Sequence, residues 1–160
     1  MTILDFLEKV DVFKNMNDEQ LKEIQGCSHI ENFNRGDRLF AKGDDSQHLW
    51  IVKNGQVDLR LDVSENSEIK NNPISFISTA QTFGWSCFAP PYKYRLSGYC
   101  SSRTCEMVKI EKNRLIELFE KDADIGYQVM SYLVEVVGTQ FYQYQNEIAK
   151  RIGEGIMASW

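Results

Sequence analysis

The chain has 160 residues, enough for one domain with a buried core, and its 42% apolar and 26% charged residues are ordinary for a soluble globule. A net charge of −5 and a pI near 5.1 argue against a dedicated nucleic-acid binder, which needs a basic face. Residues 1–9 are amphipathic and acid-bearing, unlike a signal peptide, and no window approaches the roughly 20 apolar residues of a membrane span, so the expected location is the cytoplasm with no membrane partner.

Helix signals come first. Ile3, Leu4, Phe6, Leu7 and Val10 recur at helical spacing. Asn17 with Gln20 three residues later reads as a reciprocal N-terminal cap, and Gly26 ends that helix. From Cys27 to Ile110 the pattern shifts to short strands: Ile30 and Phe33, Leu39 and Phe40, Leu49 to Val52, Val57-Leu59-Leu61, Ile74-Phe76-Ile77, Leu96 to Cys100, and Cys105 to Ile110. Turn signals separate them at Arg35-Gly36-Asp37, Gly43-Asp44-Asp45 and Lys53-Asn54-Gly55. Asn54-Gly55 favours a type I′ hairpin, and polar residues 62–72 read as a loose hairpin loop.

Many short strands with regular turns predict a β-sandwich or barrel over about 27–110. Helices return over about 112–149, and the domain is expected to occupy 1–150, with a flexible tail at 151–160. Ile125, Val129, Leu133, Val136 and Phe141 are spaced for a helix with a face to bury, which predicts a homodimer through the C-terminal helix or, as the competing possibility, packing of the stripe on the chain's own barrel. Cys27, Cys87, Cys100 and Cys105 show no C-x2-C spacing and read as buried thiols.

The glycine turns, with Phe83-Gly84-Trp85-Ser86 and Arg95-Leu96-Ser97 further on, resemble the cyclic-nucleotide-binding domain family, as in the catabolite activator protein, the regulatory subunits of cAMP-dependent kinase and some ion channels. The resemblance implies a mainly β fold with flanking α: a jelly-roll barrel, N-terminal helices and a long C-terminal helix. It implies a ligand site at Phe83, Gly84, Trp85, Ser86, Cys87, Arg95, Leu96 and Ser97. There Gly84 admits close backbone approach, Ser86 and Cys87 start a short helix whose N–H groups face phosphate, and Arg95 pairs with the phosphate. One position departs from the pattern. The family's Phe-Gly-Glu, whose glutamate holds the ribose 2′-hydroxyl, reads Phe83-Gly84-Trp85, and an indole has a donor but no acceptor. Either Trp85 fills the sugar space and the pocket is vestigial, or it faces a different ligand, aromatic or carboxylate-bearing. Tyr92, Lys93 and Tyr94, after the stiff Pro90-Pro91 pair, are candidates for the pocket mouth.

Three rivals are weaker. A jelly-roll metal enzyme needs clustered histidines, and His29 and His48 fall in different strands. No nucleophile elbow or phosphate loop occurs, so no enzyme, metal or cofactor is expected. About 12 residues follow Ile148, too few for a helix-turn-helix, so no direct DNA contact is expected. A thiol or haem sensor would use Cys87 near a helix N-terminus. The reading is a stand-alone regulatory domain that senses a nucleotide or other small anion as its effector, cyclic nucleotides only weakly. The alternative is an interaction scaffold acting on a protein partner.

Overall fold

Two antiparallel four-stranded sheets face each other in a computed structural model that describes residues 2–62 and 73–158, the side chains of 156–158 excepted. The strands are β1 (Ser28–Asn34), β2 (Arg38–Phe40), β3 (His48–Asn54), β4 (Gln56–Arg60), β5 (Pro73–Ser78), β6 (Thr82–Phe83), β7 (Ser97–Cys100) and β8 (Thr104–Glu111). One sheet runs β1-β8-β3-β6 and the other β2-β7-β4-β5. The expected loop over 62–72 lies, apart from Asp62, outside the described residues.

The alternation of β3 and β8 sorts their side chains onto two faces. Trp50, Val52, Cys105 and Met107 enter the barrel with Phe40, Val57, Ile77, Phe83, Tyr94 and Cys100. Leu49, Ile51, Val108 and Ile110 face outward into a second core. That core is completed by α1 (Ile3–Leu7), the 3-10 turn Asp11–Phe13, α2 (Asp18–Gly26), α3 (Lys112–Lys121) and the start of α4 (Ala123–Ala158). Strands covered on both faces read as unbroken apolar runs, which is why Leu49 to Val52 carries no polar residue. The α2 cap forms as its spacing predicts: the Asn17 side chain accepts from the Gln20 N–H at 2.9 Å, and the Asn17 N–H donates to Gln20 Oε1 at 3.0 Å.

Two sequence expectations need correction. Asn54-Gly55 is not a type I′ hairpin. β3 and β4 belong to different sheets, and of the pair only Gly55 takes a positive φ, 111°. The chain changes sheet at a single residue, and a Cβ at Gly55 would lie 2.7 Å from both Ser102 Oγ and the Thr104 carbonyl oxygen. The second correction concerns the C-terminus. Helix α4 does not stop near 149 but continues to Ala158, through most of the expected tail. Lone glycines weaken a helix by only about 1 kcal/mol each, so Gly153 and Gly155 do not end it.

Candidate ligand site

The loop after β6 begins at Gly84, whose left-handed backbone (φ 82°) turns the chain into a 3-10 turn, Trp85–Phe88. A Cβ at Gly84 would stand 2.8 Å from Trp50 Cδ1, so this loop sits directly on the barrel's central indole. That indole donates from Nε1 to the Tyr94 hydroxyl at 3.0 Å. Tyr94 stacks on Phe40 at 3.8 Å between ring centroids, and Phe83 lies 6.1 Å from Trp50 in a parallel arrangement. The aromatic rings thereby form a fixed floor.

Above this floor is a cavity of about 360 Å³. Strands supply Phe40, Leu59, Ile74, Ser75 and Phe83, and Leu61 follows directly after β4. Loops supply Gly84, Trp85, Ser86, Tyr94, Arg95 and Leu96, and α4 closes one side with Gln140 and Tyr144. Of the eight residues singled out in the sequence, six line the cavity: Phe83, Gly84, Trp85, Ser86, Arg95 and Leu96. Cys87 and Ser97 do not. Cys87 turns into the core under the helices, and the buried Ser97 hydroxyl accepts from the Lys42 N–H at 2.8 Å, tying down the β2–β3 loop. Of the three mouth candidates only Tyr94 reaches the cavity. Lys93 pairs with Asp45, and the Tyr92 ring carries the Lys112 ammonium 3.9 Å from its centroid.

The electrostatics concentrate on one residue. Arg95 is exposed and has no ion pair or hydrogen bond among the described residues, and no Asp or Glu is among the lining residues described. The 3-10 turn is only four residues long, so it contributes little dipole, and anion attraction rests on the guanidinium. Ser86 Oγ is already paired with Ser46 Oγ at 2.9 Å. Trp85 lines the cavity on one side and packs against the helical core on the other. Cys87 is a buried thiol, as its sequence context reads: burial pushes it up to about 12, the opposite of the lowered thiol that a Cys87 sensor needs.

Sequence reading missed Phe40, Leu59, Leu61, Ile74, Ser75, Gln140 and Tyr144 as site residues. The first five read in the sequence as ordinary strand positions, and the last two are brought in by the length and direction of α4, which local pattern does not encode.

A family model, the cyclic nucleotide-binding domain, matches residues 30–122, and the chain belongs to that family. Such domains are typically regulatory rather than catalytic. Among curated proteins, cGMP-dependent protein kinase 2 of Homo sapiens is 26% identical over 82 residues, covering 50% of this chain and 10% of the kinase. The chain thus spans about a tenth of the length of the curated relatives it matches. Among solved structures, a cyclic nucleotide-binding domain from Methylobacillus flagellatus KT superposes with a TM-score of 0.75 at 17% identity, covering 93% of this chain and 82% of that one. The sensor domain of the transcriptional regulator DNR from Pseudomonas aeruginosa gives 0.71 at 15% identity, covering 91% and 92%. These likenesses establish the fold. Among the described residues no helix is long and apolar enough to cross a membrane.

Proposed function

We propose that this domain is a regulatory sensor whose cavity takes a small anionic effector and binds cyclic nucleotides weakly or not at all. The observation that carries the reading is a cavity that, among the described residues, holds one unpaired guanidinium, Arg95, and no lining carboxylate. A ribose hydroxyl entering it meets Trp85, a donor, where an acceptor is needed. Losing one charge-assisted hydrogen bond costs about 1.5–3 kcal/mol. Helix α4 is the natural output. It lends Gln140 and Tyr144 to the cavity, while Val134, Phe141, Ile148 and Ile152 on the same half are more than half exposed. An apolar stripe of that kind suits a symmetric helix pair, so occupancy of the cavity and the dimer state share one element.

The seam differs from the sequence expectation. Ile125, Val129 and Leu133 are buried in the chain's own core, and the proposed seam therefore uses Val134, Phe141, Tyr144, Ile148 and Ile152, whose exposure supports that reading. Calorimetry with cAMP and cGMP tests the ligand side: the expected result is no binding at low micromolar concentration, and a low-micromolar affinity refutes it. The exposed stripe also favours a second reading, a scaffold for a protein partner with a vestigial pocket. A thermal-shift screen of nucleotides and small anions separates the two, since only a sensor gains stability with ligand concentration.

A further inference from the structure

The cavity's lining specifies more than negative charge. Its walls are the side chains of Leu59, Leu61, Ile74 and Leu96 over the aromatic floor. Two of its side-chain oxygens are already engaged: the Tyr94 hydroxyl accepts from Trp50, and Ser86 Oγ is paired with Ser46 Oγ. The Arg95 guanidinium and the Trp85 indole N–H have no partner among the described residues, nor do the neutral polar groups of Ser75, Gln140 and Tyr144, and Arg95 is the charged side chain among the described lining residues. A sugar or purine would bury several polar edges against these walls, at about 1–3 kcal/mol for each left unsatisfied. A hydrocarbon or aryl body has no such cost and gains from every apolar contact. A carboxylate is acceptor-only and matches a guanidinium bidentately. The volume, about 360 Å³, lies within the range of small-molecule sites.

We infer that the ligand is an amphipathic carboxylate, with an apolar body against Leu59, Leu61 and Leu96 and its head at Arg95. The inference rests on reading this cavity as a ligand pocket, and it names the chemistry of the occupant. Octanoate and 1-naphthaleneacetate are the probes, one flexible and one aromatic, with octanol as the neutral control and cAMP as the nucleotide control. Calorimetry on the full chain is expected to show micromolar binding of at least one carboxylate. Arg95→Gln is expected to weaken that binding about tenfold or more while leaving octanol unchanged. Arg95 is exposed and has no partner among the described residues, so this variant should fold. Leu59→Trp, which fills the cavity, is expected to abolish carboxylate and octanol binding together, and a retained melting temperature certifies the fold. If Arg95→Gln leaves carboxylate affinity unchanged, or octanol binds as well as octanoate, the anionic head is wrong and the inference falls. If cAMP binds and neither carboxylate does, the ligand class is wrong while the pocket reading stands. If no probe binds, the pocket reading fails and takes the inference with it.

Discussion

Helix α4 carries one kind of sequence and lives in two environments. Its first three turns place Ile125, Val129 and Leu133 at 0%, 0% and 6% exposure, in the core that α4 forms with α3 and the 3-10 turn Asp11–Phe13. Beyond Leu133 the same three-four spacing continues, yet Phe141, Ile148 and Ile152 are 56%, 58% and 60% exposed. The apolar periodicity is equal in both halves, and only what lies opposite differs. Periodicity therefore announces that a helix has a face to bury without saying against what. The first half anchors the fold. The second half lines the cavity at Gln140 and Tyr144, and much of its apolar stripe is exposed.

The sharpest way to break this comparison is to make the same truncation in both halves. Ile125→Ala removes a fully buried side chain from a closed core and is expected to cost about 2–5 kcal/mol in urea unfolding. Ile148→Ala is expected to stay within about 0.5 kcal/mol for the monomer. Equal losses would mean that the second half is packed in solution as firmly as the first.

Association separates the halves next. Phe141→Glu with Ile148→Glu places two charges in the proposed seam and is expected to weaken self-association on the order of 100-fold, without lowering monomer stability. Light scattering at tens of micromolar should show a dimer for the parent chain and a monomer for the variant. A monomeric parent would assign the stripe to a different partner.

The cavity gives the third contrast. Trp85→Glu supplies the acceptor that the resemblance finds missing and is expected to raise cAMP affinity by about 10- to 150-fold, the worth of one charge-assisted hydrogen bond. Calorimetry of both chains measures it. Silence in both, with other ligands also silent, would favour the scaffold reading.

Much of the fold was legible because local chemistry determines it. The Asn17–Gln20 cap, the strand alternation and the positive-φ positions at Gly36, Gly43 and Gly84 are properties of a few adjacent residues. Asn54-Gly55 misled because a glycine after asparagine looks the same whether the chain folds back within a sheet or crosses to the other. The deciding contact is with Ser102 and Thr104, about fifty residues away. The candidate site divides in the same way. Phe83 to Ser86 and Arg95 lie in short contiguous motifs, whereas Tyr144 enters by tertiary placement alone. The motif spacing also did not reveal that Cys87 and Ser97 turn away from the cavity, because burial depends on the helices packed behind them.

The smallest expected effect is on pH, and it again sets the anchored layer apart. Cys87 lies in the core that holds the first half of α4, and burial raises its thiol from the ordinary 9.0 to about 12. A folded-state pKa raised above the unfolded one means that the native chain keeps its proton while the unfolded chain loses it. Stability from this group is thus complete below about pH 9 and is lost as pH climbs toward 12. Burial also raises Cys27 and Tyr132 in the same layer, and Tyr94 in the barrel, so alkaline stability should fall steadily. Urea unfolding at pH 8, 9 and 10 measures the slope. Cys87→Ala is expected to remove about 1 kcal/mol of the loss between pH 9 and 10, whatever it costs at pH 8. Ile148→Ala, in the exposed half, should leave the slope as it was. A Cys87→Ala slope equal to that of the parent would mean that the thiol reaches water in the native state, and that the layer behind the 3-10 turn opens more readily than its packing indicates.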